Sequence, residues 1–258
     1  MEGHSSEEFR KGIMRFYVPP GFIFMDKGVI EVRDKKELHH IIDVMRLTRD
    51  TSVTIFDGLG MEYSGKIKDI RRDLVVVGIE KALQVNRDRS FHVTLYQAIA
   101  KKNKMDLIIE KAVELGVDAI MPIITERTIP DIRKNPDKKR DRWQRIAIAG
   151  SKQCGRTALP DVSAVKDLQA ALSESKKSDI RVFAALDKDA RPLKHVLRPG
   201  VKTIALFVGP EGDFSPEEIA IAREKGCSIS SLGSLVLRVE TAAIYALSCI
   251  NYEYSNKK

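Results

Sequence analysis

The sequence predicts an α/β protein: a carboxy-terminal domain with a mostly parallel sheet, preceded by a small β-rich barrel. Three observations lead there. From residue 91 onward, short apolar runs alternate with segments of helical spacing, the order that builds a parallel sheet. Residues 15–80 read instead as short alternating strands and turns with one helix. The polar stretch "QVNRDRS", Gln84 to Ser90, separates the two patterns, so the boundary is drawn there, giving domains 1–83 and 84–258. With 258 residues, 43% of them hydrophobic, the chain holds enough apolar material for a sizeable core.

In the first domain, "RFYV" from Arg15 is a strand closed by Pro19 and Pro20. "TSVTIFDGLGMEYSGKI" alternates apolar and polar residues on both sides of Asp57-Gly58, a hairpin signal. "DLVVVGIE" is a further strand, and "KKELHHIIDVMRL" places Leu38, Ile41, Ile42 and Met45 on one side of a helix. In the second domain the strands are "FHVTLYQAIA", "VDAIMPII", "DIRVFAAL", "TIALFVG" and "CSISSL". The helices are "KMDLIIEKAVELG", ending at Gly116, then "RWQRIAIAGSKQ", "SPEEIAIAREKG" and "ETAAIYALSCINYEY".

Composition excludes several classes. No uninterrupted apolar run is long enough to span a bilayer, and "MEGHSSEEFRKG" lacks the apolar stretch of a signal peptide. Cys154, Cys227 and Cys249 lie far apart, and the five histidines are scattered, so neither a disulfide framework nor a metal site is expected and a reducing cytoplasm fits. The net charge of +8 is one-sided: residues 1–81 are balanced, so the whole excess lies in 82–258. Its densest run is "RKNPDKKRDRWQR", Arg133 to Arg145. Trp143 among those cations suits stacking on a base beside neutralised phosphates, so the run is a candidate contact for a polyanion such as RNA, against the alternative of a solvated helix face.

Ligands of open parallel sheets sit beyond the carboxyl ends of the strands. Two turns belong there. In "LFVGPEGDFSPEEIA", Ser215, Pro216 and Glu218 form a capping box, so Gly209 and Gly212 are left over for close backbone approach to a ligand. In "SLGSLVLRVETAA", apolar Leu235, Val236 and Leu237 run into Arg238 and Glu240 at a helix start. Apolar loops are usually buried against something, and two such loops facing each other make a slot of the kind that takes an adenine. Neither G-x-G-x-x-G nor G-x-x-x-x-G-K-[ST] nor G-x-S-x-G occurs in the fitting place, which disfavours a dinucleotide fold, a P-loop and an α/β-hydrolase. On the residues alone, an RNA-directed enzyme and a non-catalytic RNA-binding protein both remain open.

The pair "LFVGPEGDFSPEE" and "LGSLVLRVETAAIYAL" resembles the signature of the SPOUT (trefoil-knot) RNA methyltransferases, and within them the RsmE family, which methylates N3 of a uridine in small-subunit (16S) ribosomal RNA. "RFYVPP" and "HHIIDVMRLTRDTSVTIFDGLGMEY" are similar to that family's PUA-like barrel; "KKNKMDLIIEKAVELGVDAIMPIITERT" and "RWQRIAIAGSKQCGRTALPDV" are similar to its middle motifs. Three positions depart from the pattern: Lys152 in place of Glu, Asp213 in place of a third glycine, and Val239 in place of Thr.

The resemblance implies a trefoil knot over roughly residues 204–250, S-adenosylmethionine as cofactor, no metal, a homodimer, and 16S rRNA or the small ribosomal subunit as partner. It implies cofactor contacts at Leu186, Gly209, Pro210, Glu211, Gly212, Leu232, Gly233, Leu235, Val236, Leu237, Thr241 and Ala242. Arg238 is the candidate for stabilising a uracil anion, with pairing to Glu240 or to a phosphate as the alternative. Glu211 is the second candidate catalytic residue, either contacting the cofactor or holding its loop. Arg15, His39, Arg46, Arg140, Arg142 and Arg156 are the candidate RNA contacts. The other readings are a knot methyltransferase acting on tRNA or on ribose 2′-oxygens, and an RNA-binding protein without catalysis.

Overall fold

The computed structural model describes residues 14–85, 90–101, 103–129 and 135–255. The chain divides into two compact units, one drawn from Met1–Arg87 and Ser151–Leu159, the other from Asp88–Gly150 and Pro160–Lys258.

The first unit carries strands β1 (Arg15–Tyr17), β2 (Ile23–Phe24), β3 (Val29–Val32), β4 (Ser52–Phe56), β5 (Met61–Arg71) and β6 (Leu74–Gln84). They form one sheet in the order β1-β4-β5-β6-β3-β2, antiparallel except for β1 on β4. The β4–β5 hairpin turns where Asp57-Gly58 predicts. Asp57 Oδ1 accepts from the N–H groups of Leu59 (2.7 Å) and Met61 (3.0 Å), and Gly58 takes φ +82°. Helix α1 (Lys35–His39) is capped by Asp34 and runs on as a π-turn, His40–Val44. Leu38 and Ile41 are buried as expected and Ile42 is half-buried, but Met45 is exposed. The π-turn is the cause: the Met45 N–H donates to the His40 carbonyl at 2.9 Å, and the wider turn rotates Met45 off the apolar side.

A sequence boundary at 83/84 puts 151–159 in the second domain; by contacts this segment belongs to the first unit. There the Ser151 carbonyl accepts from Arg15 Nη1 (3.0 Å), Lys152 Nζ meets the Glu37 carboxylate (2.8 Å), and the Leu159 N–H donates to the Gly58 carbonyl (2.9 Å). A polar linker marks only the first crossing between units and carries no sign of a later return.

The second unit holds, in chain order, β7 (His92–Ala98), α2 (Lys104–Glu114), β8 (Ala119–Ile124), α3 (Pro136–Cys154, its last four residues counting with the first unit), β9 (Asp161–Val162), β10 (Lys166–Asp167), α4 (Leu168–Glu174), β11 (Ile180–Ala184), β12 (Arg191–Pro192), α5 (Leu193–Val196), β13 (Thr203–Val208), α6 (Pro216–Glu224), β14 (Ser228–Ser231) and α7 (Val239–Ser255). The sheet runs β10-β8-β7-β13-β11-β14-β12, with β9 on β8, and every described pairing is parallel. The α/β class with an N-terminal β unit is therefore the one the sequence predicts. The sequence reading misses α4, α5 and the two-residue strands, which are too short to display a period.

Across the sheet centre, Tyr96, Phe207 and Phe183 stand in register, and Phe214 packs on Phe183 with ring centroids 4.0 Å apart. The Tyr96 and Phe207 rings stack at 4.4 Å. One residue further along, Gln97, Val208, Ala184 and Ser230 lie side by side as a second row. The loops after these four strands therefore leave the sheet from one edge, where open parallel sheets bind ligands.

The corner into α6 is built as its residues predict. Ser215 Oγ accepts from the Glu218 N–H at 3.3 Å, Glu218 Oε2 accepts from the Ser215 N–H at 3.0 Å, and Pro216 is the first helical residue. Glu218 Oε1 also accepts from the Glu126 N–H at 2.8 Å. Glu218→Ala leaves two backbone donors without their acceptor and is expected to cost about 2 kcal/mol. A lower urea midpoint at unchanged slope would report it; an unmoved midpoint would mean that this corner adds nothing to stability.

Candidate active site

A cavity of about 290 Å³ opens at the carboxyl ends of β11, β13 and β14. Leu186, Gly209, Pro210, Glu211, Leu232, Gly233, Leu235, Val236, Leu237 and Ala242 line it together with Arg238; Gly212 and Thr241 do not. Its walls include residues not expected from the sequence to contact the cofactor: Lys104, Ala184, Ala185, Val208, Asp213, Ser230 and Val239, of which Asp213 and Val239 stand out in the sequence only as departures from the family pattern. Ala184, Val208 and Ser230 are strand-end residues, and the rule that ligands lie beyond the carboxyl ends would have found them. Lys104 and Asp213 carry no comparable local signal.

The apolar loop is not packed away within this chain. Leu235 is 76% and Val236 77% exposed, and both border the cavity. The glycines divide by cause. A Cβ on Gly209 would stand a tight 3.1 Å from both Asp213 Oδ1 and the Phe214 ring, so internal packing also favours glycine at this cavity-lining position. Gly233 is the opposite case: φ is +133° and nothing lies within 4 Å of its Cβ position.

Four links fix the loop after β13. The Glu211 carboxylate accepts from the Lys101 N–H at 3.0 Å. Arg127 Nη1 donates to the Gly212 carbonyl at 2.7 Å. Asp213, at φ +60°, accepts from the Leu186 N–H at 2.7 Å and so joins this loop to the one after β11. Gln97, wholly buried, aims Nε2 at the Ala98, Val208 and Gly209 carbonyls, while its Oε1 has no hydrogen-bond partner among the described residues. Asp213 thus fills the position of a common glycine with a brace between two loops.

The charges around the cavity are asymmetric. Lys104 Nζ lies 3.5 Å from Glu211 Oε1 and 3.6 Å from Glu240 Oε2. Burial works to raise the Glu211 pKa, but the Lys101 N–H, its own N–H and the Lys104 ammonium outweigh it and hold the carboxyl below the usual glutamate range. Glu240 is therefore matched to Lys104, not to Arg238 as the alternative reading of that arginine had it. Arg238 is exposed; its carbonyl accepts from the Ala242 N–H at 2.8 Å, but its guanidinium has no hydrogen bond or ion pair with any described residue.

The candidate RNA contacts scatter. Arg15 is turned inward: its side chain is 8% exposed, pairs with Glu62 at 3.0 Å and lies 4.2 Å over the Phe56 ring, which corrects its assignment to RNA. The pairing with Glu62 on the neighbouring part of the sheet draws the guanidinium in. His39 is exposed and bonded to Asp43 at 2.7 Å. Arg46 is exposed, at φ +51°. Arg156 is half-buried and donates to the Ala158 carbonyl at 3.2 Å. In the basic run, Arg133 and Lys134 lie outside the described residues. Arg140 meets Asp141, and Arg142 meets Asp106, both on the surface. Trp143 does not stand ready for a base. It is 5% exposed and shares the buried side of α3 with Ala147 and Gly150, at i, i+4 and i+7.

Among the described residues, no group of three or more His, Cys, Asp or Glu is placed to hold a metal, and no helix is long and apolar enough to cross a membrane.

Comparison with known proteins places this geometry. Residues 87–251 match the model of the RNA methyltransferase domain, and residues 32–80 that of the RNA methyltransferase PUA domain. The chain is 28% identical over 233 residues to ribosomal RNA small subunit methyltransferase E of Bacillus subtilis, covering 84% of this chain and 88% of the relative. It is 30% identical over 220 residues to the protein of that name from Synechocystis, covering 83% and 70%. A methyltransferase from Legionella pneumophila, solved with bound SAM, superposes with a TM-score of 0.86 at 31% identity, covering 93% of this chain and 98% of that one. The small subunit methyltransferase E of Neisseria gonorrhoeae, bound to S-adenosyl methionine, gives 0.83 at 28%, covering 94% and 98%. With a PUA domain ahead of it and the methyltransferase model spanning most of its length, this chain belongs to the RNA methyltransferase family.

Proposed function

We propose that this protein transfers the methyl group of S-adenosylmethionine to N3 of a uridine in small-subunit (16S) ribosomal RNA, acting in the cytoplasm during ribosome assembly. One observation carries the reading: an unpaired arginine, Arg238, stands at the rim of a cavity walled by a glycine-bearing loop and bare apolar side chains. Relatives that align over most of the chain bear the corresponding name, and two similar structures, one of them of that name, hold this cofactor. We also take the last part of the chain, roughly residues 204–250, to be threaded as the knot of that class.

The residues fit the cofactor. Gly233 leaves room for backbone contact, Leu235, Val236 and Leu237 offer an apolar surface to an adenine, and uncharged backbone reads its edges without burying charge. When bound, S-adenosylmethionine supplies a sulfonium methyl group open to in-line displacement. Uridine N3 carries a proton at neutral pH and is a poor nucleophile; that proton passes to water as the N3–CH3 bond forms and the S–CH3 bond breaks. Arg238 stabilises the negative charge that develops on the uracil oxygens, a role worth about 10²–10³ in rate per donor. Glu211 holds its loop rather than acting as a base: its carboxylate is taken up by Lys101 and Lys104, and its low pKa suits a fixed anion. Thr241 and Ala242 stay with this reading as contacts at the α7 start, though only Ala242 lines the cavity and its N–H already donates to the Arg238 carbonyl at 2.8 Å.

Arg140 and Arg142 are offered to RNA phosphates, with Arg156, His39 and Arg46 as further contacts. Replacing Arg140 or Arg142 by Ala should weaken RNA binding and flatten its salt dependence by roughly one unit of slope, leaving cofactor binding alone. An unchanged slope would return the run to a solvated helix face. We further infer a homodimer, because α7 leaves Tyr245 and Tyr252 45% and 77% exposed on an apolar helix. Light scattering should give twice the monomer mass at micromolar concentration; the monomer mass would refute it.

The test of the reading is Arg238→Ala. Calorimetry in EDTA should find S-adenosylmethionine bound by wild type and variant with affinities within about 1 kcal/mol of each other, since the nearby contacts are backbone and apolar. The single-turnover rate should fall about 10²-fold or more and depend more steeply on alkaline pH, because solvent must then supply the uracil anion. No binding to wild type, or a normal rate in the variant, would sink the assignment.

A further inference from the structure

We propose that Lys104 is a positioning residue whose task is to keep Arg238 unpaired. The inference rests on the reading of Arg238 given above. Lys104 is the first residue of α2, an unfavourable place for a cation because the helix dipole presents its positive end there. Two carboxylates offset that cost. Glu211 comes from the loop after β13 and Glu240 from the first turn of α7, and one ammonium serves both, at 3.5 and 3.6 Å. Lys104 thus ties together the two loops that bound the cavity.

The two acids differ in what else holds them. Glu211 already accepts from the Lys101 N–H. Glu240 Oε2 is shut off from solvent and has no hydrogen bond among the described residues, so its charge depends on a neighbouring cation. Among the described residues lining the cavity, Lys104 and Arg238 are the only cations. Arg238 stands two residues before Glu240, just outside the helix, where its long arm is not confined to the spacing of helical neighbours. Without the ammonium, the half-buried carboxylate of Glu240, with its Oε2 shut off from solvent, draws the guanidinium to itself. Arg238 then neutralises an acid of its own chain instead of charge on the substrate.

The experiment uses the full chain with S-adenosylmethionine and small-subunit RNA. It compares wild type with Lys104→Met, Lys104→Arg, Arg238→Ala and the double variant Lys104→Met/Glu240→Gln. Single-turnover rates at saturating cofactor are read across pH, and cofactor affinity by calorimetry. Lys104→Met should slow transfer about 10-fold or more with the steeper alkaline dependence of Arg238→Ala, while the cofactor Kd moves by less than about threefold. Lys104→Arg should stay near wild type. Adding Glu240→Gln to Lys104→Met should restore most of the rate, because no acid is left to capture Arg238. A residue that merely strutted the loops would give no such recovery, since the second change removes another partner. A double variant no faster than Lys104→Met overturns the inference, as does a normal Lys104→Met beside a slow Arg238→Ala. A normal Arg238→Ala overturns the underlying reading and the inference with it. Should Lys104→Met not fold, Lys104→Gln against Lys104→Arg carries the same comparison.

Discussion

Gln97, Val208, Ala184 and Ser230 stand side by side in four parallel strands, and what the site contains follows from that row. Parallel register forces the following loops out at the same edge, so segments distant in sequence converge there without any contact having to be built for the purpose. The stacked Tyr96 and Phe207 rings, with Phe183 and Phe214 beside them, fill the space directly beneath. They also crowd the loop above: a Cβ on Gly209 would stand 3.1 Å from the Phe214 ring. A slip of one residue in β13 would move Val208 to the other face and carry the Gly209–Asp213 loop with it.

On this platform the polar groups do two different jobs. Glu211, Asp213 and Arg127 spend their hydrogen bonds on backbone groups and fix loop positions. Glu240 and Lys104 balance charge in a partly dry site, where an unmatched carboxylate would be costly. Arg238 belongs to neither group. A guanidinium that no acid of its own chain claims is available for charge that arrives with a substrate or develops on it. The bare Leu235 and Val236 are the apolar counterpart: surface left uncovered in the chain by itself, at the mouth of the one cavity that the resemblance marks for a ligand.

Much of this was legible in the sequence, and where it was not the reason is physical. The capping box from Ser215 to Glu218 and the Asp57-Gly58 turn are local, so four or five residues suffice to specify them. The long strands and helices of the second unit show their period over many residues. Lys104 was invisible because both its partners lie far along the chain and only the fold brings them together. The return of Ser151–Leu159 to the first unit was hidden for the same cause. Trp143 misled because a charge run was read as a surface, whereas a helix sorts its residues by face, not by neighbourhood. Arg15 misled in a similar way, its acid partner being supplied by another strand.

The central claim is the identity of the modified atom. Mass spectrometry of nucleosides and nuclease fragments can read it, using small-subunit rRNA from a strain lacking this protein before and after incubation with the purified protein and S-adenosylmethionine. RNA is to be offered both free and in assembled subunits. The account predicts one added methyl group on the base of a single uridine, at N3, in at least one of the two forms. A methyl group on a ribose 2′-oxygen, methylation confined to tRNA in a parallel reaction, or no transfer to either form would contradict it.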